Sequence, residues 1–321
     1  MEKKTVNLLI IATSLIVAGC LIFGGVMFVL GWDFSKLSTK KYETNTYEMT
    51  DAINKIDINT NTANTVFVPT DDAVCKVVCY EAENEKHSVT VENGCLTIRM
   101  ASEKKWYDYI GIWFTAPKIT VYLPRGVYES LVVHIRTGDV AIPTGFQFET
   151  VDISGNTGHV AVMSSVSGAL HVETSTGDIT VSDATVGSMN LKVSTGRITI
   201  SKVACDGNVN LEVSTGKAVI TDLTCKNFTT TGDTGDILLE QVVATEKITI
   251  HRSTGDVKFS ACDASEIFVK TDTGDVTGTL SSEKVFLCQT DTGRVDVPKT
   301  TTGGRCEVTT DTGNIRLKIE D

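Results

Sequence analysis

The chain has 321 residues, a formal net charge of −11 and 21% charged residues. That acidic balance excludes a nucleic-acid binder, whose phosphate contacts need clustered Lys and Arg, and mainly predicts solubility for the part outside any membrane. A chain this long can bury a sizeable core, but a short internal repeat dominates it, so the core is expected as a stack of like units rather than separate domains.

Residues 1–5 form a short N-terminal tail, and from Val6 to Trp32 no residue is charged. A run of that length predicts a helix able to cross a hydrocarbon core of about 30 Å. Within it, Val17-Ala18-Gly19-Cys20 looks like a lipoprotein cleavage box in which Cys20 would be lipidated. The apolar run continues through Leu21 to Leu30, however. An uncleaved single-pass anchor with a large extracytoplasmic C-terminal domain is therefore the expectation, and lipidation of Cys20 the alternative. Residues 33–49, DFSKLSTKKYETNTYEM, are polar and read as a stalk.

Residues 50–130 carry strand patterns without the repeat: KIDINTNTANTVFV, AVCKVVCY, HSVTVENGCLTIRM and KITVYLPRG. Asn93-Gly94 between two alternating runs predicts a tight hairpin. This β-rich region is expected to cap the first coil of the repeat, because a bare stack end exposes apolar core and unpaired backbone. One stretch interrupts it: EKKWYDYIGIWF, residues 103–114, gathers Trp106, Tyr107, Tyr109, Trp113 and Phe114. It reads either as a lid packed over the first coil or as a membrane or partner contact, with aromatic rings at headgroup level beside Lys104 and Lys105.

From residue 131 to 321 Thr-Gly recurs in a fixed frame. Its glycines are Gly138, Gly158, Gly177, Gly196, Gly216, Gly235, Gly255, Gly274, Gly293 and Gly313, spaced by 19 or 20 residues. Two residues after each glycine stand Val140, Val160, Ile179, Ile198, Ala218, Ile237, Val257, Val276, Val295 and Ile315, all apolar. Period-two alternation of this kind means short strands with one buried face. The buried positions are odd before the glycine and even after it, so the chain turns a corner at Thr-Gly. The glycine supplies positive φ there, and the threonine before it is expected to point inward and satisfy the bend with its hydroxyl. Each period is one coil, stacked on the next at roughly 4.8 Å by parallel hydrogen bonding. The expected product is an all-β, right-handed β-solenoid of about ten coils over residues 131–321.

The apolar segment, the stretch ITVYLPRGVYESLVVHIRTGDVAI and the serial STGDI and DTGDV units together resemble the bacterial putative-adhesin β-strand-repeat family, related to head-domain modules called GIN. The resemblance covers nearly the whole chain after residue 50. It implies a β-solenoid on the cell envelope, and an association of some relatives with envelope-stress signalling. It implies no catalytic residue and no cofactor.

Asp-Thr-Gly is also an acid-protease motif. Here the column of Asp233, Asp272, Asp291 and Asp311 is equally served by Ser175, Ser194, Ser214 and Ser253, and one of a proton-sharing catalytic pair is not exchangeable for serine. Asp233, Asp236, Asp256, Asp272 and Asp275 along one edge raise calcium, which takes oxygen ligands. Arg197, Lys217 and Arg294 occupy the same column, so a solvated edge of mixed charge is expected and no metal site is assigned. Cys205, Cys225, Cys262, Cys288 and Cys306 fall on core columns, where they act as small hydrophobes. The sequence thus points to a non-enzymatic, membrane-anchored envelope protein whose solenoid serves adhesion or protein assembly. Its expected partners are the membrane and envelope proteins or surface polysaccharide. An accessory or sensor of an envelope-stress system is the alternative, and a polysaccharide-acting enzyme a minor one.

Overall fold

The structure, a computed structural model, describes residues 3–33, 36, 41–101 and 116–320. Helix α1 (Lys3–Val29) is 27 residues long, about 40 Å at 1.5 Å per residue, and is long and apolar enough to cross a membrane. Two of its hydroxyls bond within the helix: Thr13 Oγ1 donates to the Leu9 carbonyl and Ser14 Oγ to the Ile10 carbonyl, both at 2.8 Å.

Everything else described is dominated by strand, stacked as a β-solenoid. One rung shows the logic. Before Gly196, Met189, Leu191 and Val193 point inward; after it come Ile198 and Ile200, then a second corner at Lys202 with φ 52°, then Val203 and Cys205. Each of these core residues is at most 5% exposed. The coil is therefore three-sided. Asp183, Asp222, Gln241 and Ala261 hold the same left-handed conformation at the second corner of their rungs, a position that carries no glycine and left no mark in the repeat.

The seventh residue before each glycine forms one continuous apolar column. Leu96, Ile56, Leu131, Val151, Leu170, Met189 and Val209 stack in that order. Further on, Phe228, Ile248, Ile267, Cys306 and Phe286 do the same. Burying such a side chain contributes roughly 1.5–3 kcal/mol, so the column alone is a large share of the core.

The order of that column departs from the chain order at both ends. Strand β1 (Tyr42–Met49) is followed by β2 (Lys55–Thr62), β3 (Asn64–Thr70), β4 (Cys75–Ala82), β5 (His87–Glu92), β6 (Cys95–Met100) and β7 (Lys118–Pro124). β2 and β3 form a rung with Ala63 at the glycine position, and β6 with β7 forms another that stacks outside it. The region expected as a separate cap thus contributes two rungs of its own. At the C-terminal end the Gly313 rung, last in sequence, lies between the Gly274 and Gly293 rungs. An outermost rung has a neighbour on one side only and frays first; placing the first and last rungs of the chain one position inside gives each a partner on both faces.

Lys284 pins the C-terminal arrangement. It stacks on Gly304 of the inserted rung, passes it, and its buried ammonium bonds Asp263 Oδ1 at 2.6 Å. Gly304 makes this possible because it has no side chain and runs so close to the next rung that a Cβ would lie 1.9 Å from the Ser265 carbonyl. At the other end, β5 pairs antiparallel with β6, β4 with β7 and β1 with β4, which occupies the free edge of the last parallel rung. The stalk expected over 33–49 is corrected by this pairing. Tyr42–Met49 alternates in exposure and lies in register along β4, from Tyr42 opposite Ala82 to Met49 opposite Cys75.

Candidate functional site

The Thr-Gly corners line up as one edge of the rod. Corner amides donate to the threonine carbonyl of the neighbouring rung, as in Gly138 to Thr157, Gly255 to Thr273 and Gly274 to Thr312, all at 2.9 Å. Gly216 shows why the position excludes a side chain: φ is 136°, and a Cβ would lie 1.7 Å from the Gly196 carbonyl oxygen. All ten repeat glycines have positive φ.

The threonines before the glycines face solvent, which corrects the inward placement read from parity. Thr137, Thr157, Thr176, Thr195 and Thr215 are exposed. The inward alternation ends three residues before the glycine, at Val193 or Val213, and the next two residues both face outward as the chain swings into the corner. Their hydroxyls are not needed for the bend, because the residue after the glycine satisfies it. Asp139 Oδ1 accepts the His159 backbone N–H at 2.8 Å, Asp178 Oδ1 that of Arg197 at 2.9 Å, Asp256 Oδ1 that of Asp275 at 2.8 Å, and Asp275 Oδ1 that of Asn314 at 2.7 Å. The acids of the edge are thus rungs of a hydrogen-bond ladder rather than simply solvated charges. Asp236 also meets Lys217 Nζ at 2.8 Å, and this bond, with the Asp256 amide, holds its carboxyl below the usual range against the opposing effect of burial.

A second cluster, with no counterpart among the sequence expectations, lies in the cap. Cys79, Glu81 and His87 are all buried, with ligand-type atoms within 4.8 Å of one another. Glu81 Oε2 accepts the His87 backbone N–H at 2.8 Å and faces its Nδ1 at 2.6 Å; Oε1 accepts from Asn45 Nδ2 at 2.8 Å. Thr60 Oγ1 lies 2.8 Å from His87 Nε2. The knot ties β1, β2, β4 and β5 together. The carboxylate already takes several hydrogen bonds, and burial, reinforced by Glu81, pushes the Cys79 thiol up to about 12, so the trio is arranged as a structural tie. Its sequence signal was Glu81, in phase with inward Cys75, Val77 and Cys79 on one strand face.

The other cysteines of the rungs sit where the columns placed them. Cys205, Cys225, Cys262 and Cys306 are buried free thiols, and desolvation raises Cys225 and Cys306 to about 12. Cys20 is exposed on α1. Trp106, Tyr107, Tyr109, Trp113 and Phe114 lie outside the described residues. In the sequence their stretch lies between β6 and β7.

No curated protein matches the chain in sequence. Among solved structures it is similar to a putative adhesin from Bacteroides fragilis, with 16% identity over 87% of this chain and 98% of that one and a TM-score of 0.46. A putative adhesin from Parabacteroides merdae gives 12% identity, coverage of 87% and 97%, and a TM-score of 0.49. A putative lipid binding protein from Parabacteroides distasonis gives 16%, 86% and 97%, and 0.43. In sequence, the family described as Toastrack DUF4097 matches residues 53–213 and again 204–321, from the first strands of the cap to the inserted last rung, and the chain therefore belongs to that family.

Proposed function

We propose that the protein is a non-enzymatic, membrane-anchored rod of the bacterial envelope, displayed for adhesion or for assembly with another envelope protein or a surface polysaccharide. α1 is its single-pass anchor, and the solenoid stands on the extracytoplasmic side. The resemblance of the STGDI and DTGDV units to GIN head modules agrees with this reading.

The observation that carries it is the corner edge. Exposed threonines recur at one position from rung to rung, next to a ladder in which Asp, Asn and His side chains accept backbone N–H groups of the neighbouring rung, with Lys and Arg in the same column. A rigid, repetitive polar face of this kind is suited to binding an extended partner at many equivalent points. The buried Cys79, Glu81 and His87 are committed to holding the cap, which leaves them no substrate to meet.

Protease treatment of intact and permeabilised cells carrying the full chain tests the display. The rod should be cut in intact cells, with α1 retained in the membrane. Protection until the membrane is opened would refute it. Replacing Thr176, Thr195 and Thr215 together by Glu should then weaken attachment of these cells to envelope polysaccharide or protein without lowering the melting temperature, and unchanged attachment would remove the edge from the proposal.

A further inference from the structure

The two ends of the rod are finished differently. At the cap, antiparallel strands close the outermost parallel rung, with β4 lying along β7 and β5 along β6. At the other end the Gly293 rung is outermost. Among the described residues its strand Lys284–Thr292 pairs only with Gly304–Thr312, and the short Val295–Asp296 only with Ile315–Ile319. In the corner ladder an amide donates to the rung beyond it, as Gly274 does to Thr312, Gly313 to Thr292, Val276 to Asn314 and Ile315 to Arg294. No rung lies beyond Gly293 and Val295 to accept theirs.

The core is uncovered at the same place. Val295 is 44% exposed, whereas Val276 and Ile315, stacked behind it in one column, are fully buried. Phe286, Cys288 and Val297 also stand in core columns and are only partly buried, and Leu287, on the outer row of the same strand, is 49% exposed. From Val285 to Thr290 the strand carries neither charge nor proline, the usual guards against edge pairing. The chain's own stretch 102–115 does not cover this end: it attaches at the cap, roughly 50 Å away at about 4.8 Å per rung, and tethered at both ends it spans about 25 Å out and back.

Lys284–Thr292 is matched to a second copy of itself. The strand has nine residues and Cys288 is its midpoint. A two-fold axis through that midpoint lays two copies antiparallel over the whole strand and keeps inward residues against inward ones. Cys288 then meets Cys288 of the second copy and Phe286 meets Thr290, while on the outer row Leu287 meets Gln289. Charges of like sign do not meet, because Asp291 faces Val285, and Lys284 faces Thr292 with its ammonium already bonded to Asp263. Such a strand closes the tip as β4 and β5 close the cap.

We propose that the open end is a self-association surface, at which two rods join tip to tip through an antiparallel pair of Lys284–Thr292 strands and bury Phe286, Cys288, Val295 and Val297 against the second copy. The contact is isologous, so it closes at two chains and does not propagate into a filament. Pairing in solution does not depend on the display reading; a link between two cells through paired tips rests on it.

The test is sedimentation of the full chain in detergent. Expected is a concentration-dependent dimer and, with diamide taking up the two thiol hydrogens, a disulfide between the Cys288 residues of two copies, since facing Cα atoms of an antiparallel pair lie about 4.5–5.5 Å apart. Peptide mapping identifies the bond, and Cys288→Ser should abolish it. Leu287→Lys should weaken the dimer roughly tenfold by charging the edge, with the melting temperature unchanged because the side chain is half exposed. Leu287→Lys with Gln289→Glu sets Lys opposite Glu twice across the axis and should restore the dimer. A monomer at every concentration would overturn the proposal and leave the edge to a strand of another protein. A dimer indifferent to Leu287→Lys, or one linked through Cys20, would overturn it in favour of association through α1. Failure of the double variant to rescue would overturn the register and the proposal with it. Protease access on whole cells reads the display separately.

Discussion

The inverted rung order at the C-terminus can be tested with cysteine pairs, because it changes which residues are neighbours in one buried column. Val269 is in register with Val308, and Val308 with Cys288, so Val308 separates the other two. Adjacent rungs are about 4.8 Å apart and next-adjacent ones about 9.6 Å. A disulfide needs a Cα separation of about 4.4–6.8 Å, so the first spacing permits a bond and the second forbids it. In the full chain Val269→Cys should therefore stay reduced against Cys288 under mild oxidation, whereas Val269→Cys with Val308→Cys, combined with Cys288→Ala because Cys288 is also in register with 308, should give the 269–308 link. That link closes a loop of about 40 residues and should stabilise the fold by about 4 kcal/mol in the chain-entropy treatment, less any strain. Peptide mapping of the oxidised protein by mass spectrometry identifies the bonds. A 269–288 disulfide in the single variant would show that the rungs stack in chain order and would refute the arrangement.

Gly274→Ala should cost about 2–6 kcal/mol, since φ is 155° and the new Cβ would lie 2.0 Å from the Gly255 oxygen; thermal melts should show Asp275→Asn, which keeps an acceptor for the Asn314 amide, within about 1 kcal/mol of wild type. Equal losses would remove the close-stacking argument. Burial acts to raise the Asp263 carboxyl, but hydrogen bonds from Lys284 and Ser282 outweigh it and hold the pKa below its ordinary value. A depressed carboxyl adds stability that is complete above its unfolded pKa of about 3.9 and is lost as pH falls through its folded value, so hydrogen exchange over 284–320 should accelerate below about pH 4, less so in Asp263→Asn. Glu81→Ala leaves the His87 amide without its acceptor and removes one of the two acceptors of Asn45 Nδ2, and should destabilise the cap by about 3 kcal/mol or more, read as lost exchange protection in β1 and β5; unchanged protection would show that the knot is not a tie. Cys20→Ser should leave the chain at full length in the membrane fraction, and a shorter, lipid-labelled wild-type form would establish the cleavage box instead.

The period, the strand faces, the corner glycines and the apolar helix were legible in the sequence because each depends on local pattern. Alternation assigns Ile198 and Ile200 to the core whatever lies above or below them, and only glycine fits a corner with positive φ against the next backbone. The three-sided coil was less visible, because its second corner is made by Asp183, Lys202, Asp222, Gln241 and Ala261, which share no chemistry. The exposed threonines were misplaced because parity was carried one step too far, past the point where the strand leaves its pleat. Arg252 stood as a charge in an inward column and Gly232 as a glycine out of frame, but only stacking one on the other shows that the glycine leaves the room the guanidinium occupies. Rung order is the feature that the sequence leaves open in principle. Ile267, Phe286 and Cys306 are interchangeable apolar members of one column, so the pattern fixes that they stack and not in what order. Tertiary contacts decide it: Gly304 lets the last rung slide close beneath Lys284, and Lys284 reaches past it to Asp263, a pairing available only when the rung first placed by sequence at the tip lies one position inside.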